Sequence, residues 1–334
     1  MRRARLLSIT IFAALLAYGA LGYFYLPQAS FEGDLTRMSM LPEKQFGWTR
    51  PQPPIEDGWL RQARMQDADV LVIGDSFSMS RVWQTVFTRE GLRVRTEHWD
   101  NLQAVCADVV PWLRAQGFKG RYVVLEVVER NLVRVAQKSA QCLQTQYRKK
   151  HDVDGPQPAP KSRFDPDLRG HSGRMSVGLR TQLHAVEYEG KAERGDFREW
   201  QVTPEVRVMR VPDGCRLFSH RRCQDALFLT EDRPEDLPLT ALQDMAAVRD
   251  RLNDFITVWA VVPNKTTAYL HPDKRFWDQS ETTLHAPHLL RMVRQAIDVP
   301  TVDLYLGNNT HFSTEGYLLM GQAIRRALGM GMAP

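Results

Sequence analysis

Several things are scarce in this 334-residue chain, and each scarcity removes a class of function. There are four cysteines, none in a Cys-x-x-Cys pair, and no histidine set stands at matching spacing, so no metal site is expected. His285 and His288 lie one helical turn apart around Pro287, but two ligands do not fix zinc. No basic block is long enough to be a nucleic-acid arm. Arg148-Lys149-Lys150 and His220-Arg221-Arg222 are short, and a formal charge of +5 reads as a solvated surface with a slight excess of arginine. No internal repeat is apparent, and nothing calls for a cofactor. What is present, 43% hydrophobic and 25% charged residues, is the composition of an ordinary globular protein, not of a disordered one.

One long apolar run exists. Arg2, Arg3 and Arg5 precede LLSITIFAALLAYGALGYFYL, residues 6–26, which is uncharged and long enough to cross a bilayer as a helix at about 1.5 Å per residue. The basic flank predicts a cytoplasmic tip at 1–5, a single-pass anchor at 6–26 in the inner membrane of a bacterium, and the remainder in the periplasm. YGALG has the small residues of a cleavage site, yet Tyr18, Tyr23, Phe24 and Tyr25 read as an interfacial belt and favour an uncleaved anchor. Residues 27–60 are Pro-rich without a sustained period and read as a linker. In an oxidising compartment the cysteines are expected to form two disulfides, Cys215–Cys223 across a seven-residue loop and Cys106–Cys142 within the main domain; the alternative is four buried thiols.

From residue 61 onward the pattern is α/β. ADVLVIGD is the continuous apolar run of a buried parallel strand, and SMSRVWQTVFTREG then puts Val82, Val86 and Phe87 on one helical face. LRVRTEHW and RYVVLEVVE follow as strands, with NLQAVCADVVPWLRAQG as a helix between them. The rhythm breaks at 144–236, which reads as an insertion, part loop and part small antiparallel sheet. It returns with LTALQDMAAVRDRLNDF, ITVWAVVPN, HAPHLLRMVRQAID, PTVDLYL and STEGYLLMGQAIRRALG as helix, strand, helix, strand and helix.

Sites in a parallel sheet form at the carboxyl ends of the strands. Ser76, in VLVIGDSFSMSRVW, sits just past such an end, where a serine either caps the next helix or is held out as a nucleophile. His311, in LYLGNNTHFSTEGY, follows the last strand at the same sheet edge, and a base there would take the serine's proton.

The block GDSF after the first strand and THF before the final helix resemble the SGNH/GDSL hydrolase superfamily. More narrowly, VVLEVVER, VVPNKTTAYL and NTHFSTEG are similar to segments of its periplasmic branch related to the alginate O-acetyltransferases. The likeness covers about 61–144 and 237–330 in the Ser-first order. It implies a flavodoxin-like three-layer α/β/α fold over 61–334, interrupted by 144–236, with Ser76 as nucleophile, His311 as base and Asn309 where the orienting acid should stand. Asn308 precedes it, and neither amide stabilises an imidazolium as a carboxylate does; in the serine protease triad, Asp to Asn costs about 10⁴ in kcat. Three outcomes stay open: a Ser-His dyad, recruitment of Asp303 or Glu315, or lost activity.

Other candidates are Arg130 and Asn131 after the third strand, as oxyanion or substrate groups, with Arg130 paired to Glu126 or Glu129 as the alternative. Where the superfamily usually has a glycine, Asp100-Asn101 stands instead, and Asn101 either donates or caps a helix. Asp75 is expected to bond nearby backbone N–H groups. Trp48 and Trp59 pack on sugar rings, lie at the membrane surface, or belong to the core. The resemblance implies acetyl transfer to or from sugar hydroxyls: an O-acetyltransferase modifying a cell-envelope or secreted polysaccharide, supplied by a multispanning acyltransferase of the membrane-bound O-acyltransferase type. The alternatives are an esterase using the same residues and a catalytically weak polysaccharide-binding scaffold. The 144–236 insertion, with its basic patches, favours transfer by offering an acceptor groove.

Overall fold

The computed structural model describes residues 2–25, 32–154, 179–194, 197–299 and 301–330. Two compact units emerge, one made of residues 50–163, 231–305 and 310–334, the other of 1–49, 164–230 and 306–309. The strands among the described residues are, in chain order, β1 (Val70–Gly74), β2 (Val94–His98), β3 (Tyr122–Val128), β4 (Glu199–Gln201), β5 (Val206–Arg210), β6 (Asp225–Leu229) and β7 (Ile256–Val262).

In the larger unit, four strands form one parallel sheet in the order β2-β1-β3-β7. Parallel neighbours need crossovers, and the helices Val109–Ala115, Glu129–Gln141 and Thr240–Arg251 lie on them. Leu71, Ile73, Leu125 and Val261 share a core with Leu113, Leu132, Val248 and Trp277 of the helices. Val70, Val72, Val124 and Val128 point the other way by strand alternation and are buried as well, so both faces of the sheet are covered. The chain runs from β1 outward to β2 and then back across to β3. Strand order therefore reverses between β1 and β3, and beyond their carboxyl ends is where an open α/β sheet places its ligand.

Three sequence expectations change here. The stretch after β1 is two short helices, Ser76–Met79 and Thr85–Thr88, instead of one face carrying Val82, Val86 and Phe87. The break falls at Arg81, whose backbone is left-handed (φ 60°) and whose buried guanidinium donates to the Leu60 and Val153 carbonyls at 2.9 and 2.5 Å. The next helix is likewise split into Trp99–Leu102 and Val109–Ala115, with Gln103 at φ 64° and the Cys106–Cys142 disulfide at the break. Pro111 falls in the first turn of the second piece, where its missing N–H costs nothing. Residues 301–306 of PTVDLYL form no strand: Asp303 turns the chain at φ 60°, and Tyr305 makes only an isolated antiparallel bridge to Phe312.

The smaller unit holds the antiparallel sheet β4-β5-β6, the Cys215–Cys223 disulfide and the helix Leu179–Ala192. It also contains the helix Arg2–Tyr25, long and apolar enough to cross a membrane, with Tyr18 exposed; the side chains of Tyr23, Phe24 and Tyr25 fall outside the described residues. Residues 27–60 are not a linker throughout. Short helices at Asp34–Ser39 and Glu43–Phe46 bury Leu35, Leu41 and Phe46 with Tyr188, Val208 and Leu227, on elements too short to show a period. Residues 50–60 belong to the larger unit. The 144–236 insertion is also divided: 144–154 stay in the larger unit, 179–230 join the smaller, and 155–178 lie outside the described residues.

Candidate active site

Ser76 opens the four-residue helix after β1 and is exposed. As the first helical residue its backbone N–H has no intrahelical acceptor. Asp75 holds the turn. Its Oδ1 accepts the Phe77 N–H at 3.0 Å and its Oδ2 accepts the Val128 N–H at 2.8 Å, tying the helix start to the end of β3. This is the structural part expected of it from sequence.

Beneath the turn lies Glu126, fully buried in the middle of β3. Its Oε2 accepts the Asp75 N–H at 3.1 Å and the Ser78 hydroxyl at 2.6 Å, while Oε1 is buried with no hydrogen-bond partner. Burial, with the Asp75 charge second, pushes this carboxyl well above its ordinary 4.5. Glu126 therefore holds its proton more tightly than an exposed carboxyl does. The packing is close enough that Gly74 must lack a side chain, since a Cβ there would stand 2.3 Å from Ser78 Oγ and 2.7 Å from Glu126 Oε2.

His311 Nε2 lies 2.8 Å from Ser76 Oγ, across 235 residues of sequence. For Nε2 to accept the serine proton, Nδ1 must carry the ring's hydrogen, and Thr310 Oγ1 stands 3.1 Å from it. Phe77 packs on the imidazole at 4.7 Å between centroids, and Phe312 and Tyr317 meet Phe77 edge-on. Serine and histidine are thus fixed by one aromatic cluster. Ser313 caps the following helix, Thr314–Ala327, by accepting the Gly316 N–H.

The remaining candidates are placed as follows. Asn308 donates Nδ2 to Glu43 Oε1 at 2.6 Å, and Asn309 donates its N–H to the Leu306 carbonyl at 3.2 Å, all within the smaller unit. Asp303 is buried, and Glu315 gives its N–H to Gln52 Oε1 at 3.3 Å. Arg130 is neither an exposed anion receptor nor paired with Glu126 or Glu129: it lies 3.0 Å from Glu231, 3.5 Å from Asp232 and 3.3 Å from Asn264 Oδ1. Those acids stand at the end of the 144–236 insertion, about a hundred residues on, so no local spacing announces them. Asn131 accepts from Arg134, one turn along its own helix.

Asn101 neither caps nor aims at the nucleophile. It is fully buried, its Oδ1 accepts the Lys150 and His151 N–H groups at 2.8 Å each, and its Nδ2 donates to the His151 carbonyl at 2.9 Å. The cap of that helix is His98, whose Nδ1 accepts the Asp100 N–H. His285 and His288 are also caps, at the end of Arg275–Leu284 and the start of Leu289–Asp298. Trp48 is buried against Leu306, whereas Trp59 is half-buried.

Two groups escaped the sequence reading. Glu126 figures there only as an alternative partner for Arg130, one acid in the apolar strand VVLEVV, and not as the support of the nucleophile's turn. The other is a cluster of His98, Asp100 and His151, whose ligating atoms all lie within 4.8 Å of one another. Its third member comes from a distant loop, so no histidine spacing revealed it. An exposed serine hydroxyl on a fixed turn, in contact with an imidazole, can be deprotonated as it attacks an electrophilic carbonyl. No protein-family model matches this chain, and neither a curated protein nor a solved structure matches it.

Proposed function

We propose that this chain is a membrane-anchored O-acetyltransferase of the SGNH type, which carries an acetyl group on Ser76 and passes it to hydroxyls of an extracytoplasmic polysaccharide. The 2.8 Å contact between Ser76 Oγ and His311 Nε2 carries this reading. Ser76 Oγ attacks the acetyl carbonyl carbon of an ester donor, its proton passes to His311 Nε2, and the carbonyl π pair moves onto oxygen beside the Ser76 N–H. The C–O bond to the leaving group then breaks as His311 returns the proton to that oxygen. A sugar hydroxyl repeats the sequence on the Ser76 ester.

Two observations support a reading outside the cytoplasm. Two disulfides, Cys106–Cys142 and Cys215–Cys223, suit an oxidising compartment, and the arginine-flanked apolar helix suits an anchor with its N-terminus inside. The donor must then cross the membrane, which calls for a multispanning acyltransferase partner held close by the anchor. Water in place of the sugar would make the same residues an esterase.

Intact mass spectrometry of the detergent-solubilised chain, given an activated acetyl ester, tests this. The wild type is expected to gain one acetyl group that Ser76→Ala and His311→Ala do not, and that an oligosaccharide clears faster than water alone. Clearance at the same rate by water would make it an esterase. Absence of any adduct in the wild type, with one appearing in Asn309→Asp, would leave a polysaccharide-binding scaffold.

A further inference from the structure

The cluster of His98, Asp100 and His151 has the composition of a metal site, but its hydrogen bonding argues otherwise. Asp100's own backbone N–H donates to His98 Nδ1 at 3.0 Å, so that nitrogen's lone pair is spent. In the neutral ring the proton must then sit on Nε2, which leaves His98 with no free lone pair for a cation. His151 Nε2 is 3.0 Å from Asp100 Oδ2 and forms a pair with it. His98 is thereby a histidine locked into one tautomer, with Nε2–H as its one ring donor.

Its surroundings also disfavour the charged ring. Burial, and after it the neighbouring His151, push the His98 pKa below its ordinary 6.5, against the opposing pull of Asp100 and Asp75. The two rings lie 4.0 Å apart between centroids. His151 is held there by the three hydrogen bonds that its segment makes to the buried amide of Asn101. His98 nonetheless keeps 13% of its side-chain surface open.

Its position is set by strand register. The pairing of β1 with β2 ends on Gly74 opposite His98, and adjacent strands run about 4.8 Å apart. Ser76 follows Gly74 by two residues. His98 thus stands at the carboxyl edge of the sheet beside the nucleophile's turn, where Asn101, Arg130 and Asn131 are all engaged elsewhere.

We propose that His98 is a catalytic residue that donates its Nε2–H to the oxygen that becomes negative when Ser76 attacks an acyl carbonyl, beside the Ser76 backbone N–H. The inference rests on the acyl-transfer reading. A neutral imidazole suits the task because it stabilises the oxyanion without surrendering a proton that His311 must move.

Single-turnover acetylation of Ser76 in the full chain, followed by intact mass at varied concentrations of an activated acetyl ester, separates donation from capping. His98→Leu removes both functions, His98→Glu keeps an acceptor for the Asp100 N–H without a donor, and His98→Gln keeps both. The expected result is a maximal rate lowered about 10²–10³-fold in the Leu and Glu variants, within the range for losing one oxyanion donor. Half-saturation should be unchanged, and the Gln variant should recover at least tenfold. Glu performing as well as Gln, or Leu as well as wild type, would overturn the donor role while leaving Ser76 chemistry standing. A wild type that never acetylates at Ser76 would overturn both.

Discussion

Replacing Glu126 tests whether a protonated carboxyl supports the nucleophile's turn. Its Oε2 accepts two buried donors, the Asp75 N–H and the Ser78 hydroxyl. A leucine there strands both, at about 1–3 kcal/mol each, so Glu126→Leu should cost about 2–6 kcal/mol. Glutamine keeps the acceptor oxygen and should cost far less. The pH dependence is more diagnostic. Because burial raises the folded-state pKa above 4.5, this group's favourable contribution is whole below 4.5 and is lost as pH climbs toward the folded-state value. The loss runs at about 1.4 kcal/mol per pH unit. Glutamine does not titrate, so the stability of Glu126→Gln relative to wild type should rise by that increment with each unit above 4.5 until the folded-state value is reached. Urea unfolding of the solubilised chain by circular dichroism, at four pH values between 5 and 8, reads this directly. Parallel pH profiles for the two proteins would refute a protonated Glu126, and a Leu variant as stable as Gln would refute its role as acceptor.

The turn's close packing makes a second prediction: Gly74→Ala drives a Cβ into Ser78 and Glu126 and should cost about 1–3 kcal/mol, with Ser76 acetylation lost as well. A variant that unfolds at the wild-type urea midpoint and still acetylates would refute it. Arg130→Met takes a cation away from Asp232, which is 2% exposed, and should destabilise by about 3 kcal/mol while folded protein acetylates at the wild-type rate. A rate defect with unchanged stability would return Arg130 to the substrate site. In the smaller unit, burial lifts Glu43 to about 7, so its favourable contribution fades between pH 4.5 and 7; Glu43→Gln should flatten the stability profile across that window and leave it unchanged below pH 4.5.

Three strands of the parallel sheet were legible because they are almost continuous apolar runs, the composition of a strand buried on both faces; β2, VRTEH, is the polar edge strand. VLVIG, YVVLEVV and ITVWAVV are found where the pattern puts them. What the pattern could not show was where a helix stops for a tertiary reason. Nothing near Arg81 reads as a break, since its left-handed backbone answers to carbonyls at Leu60 and Val153. The same holds for Leu35, Leu41 and Phe46, whose partners lie well over a hundred residues away in a region of weak period. PTVDLYL failed in the opposite sense: alternation is present, but one left-handed residue at Asp303 leaves it no ladder to join.

The site divides along a similar line. Ser76 was legible because it stands just past the carboxyl end of β1, where an open parallel sheet places its site, and His311 because it just precedes the cap of the last helix, although the run before it forms no strand. Their 2.8 Å contact follows from topology more than from any local signal. The polar residues around them were misassigned wherever proximity in sequence was taken for a shared direction. Asn101 and Arg130 sit at the same sheet edge, yet one fastens residues 150 and 151 and the other neutralises Glu231 and Asp232. A side chain's direction is set by the strongest unmet partner within reach, and that partner can come from any part of the chain. His98 shows the converse. The partner that fixes its tautomer is a backbone N–H two residues ahead, a local relation fully determined once the strand end is known. Donor geometry at this edge is therefore more readable from capping patterns than from residue chemistry, and a histidine at a strand end before a short helix is the signal to seek.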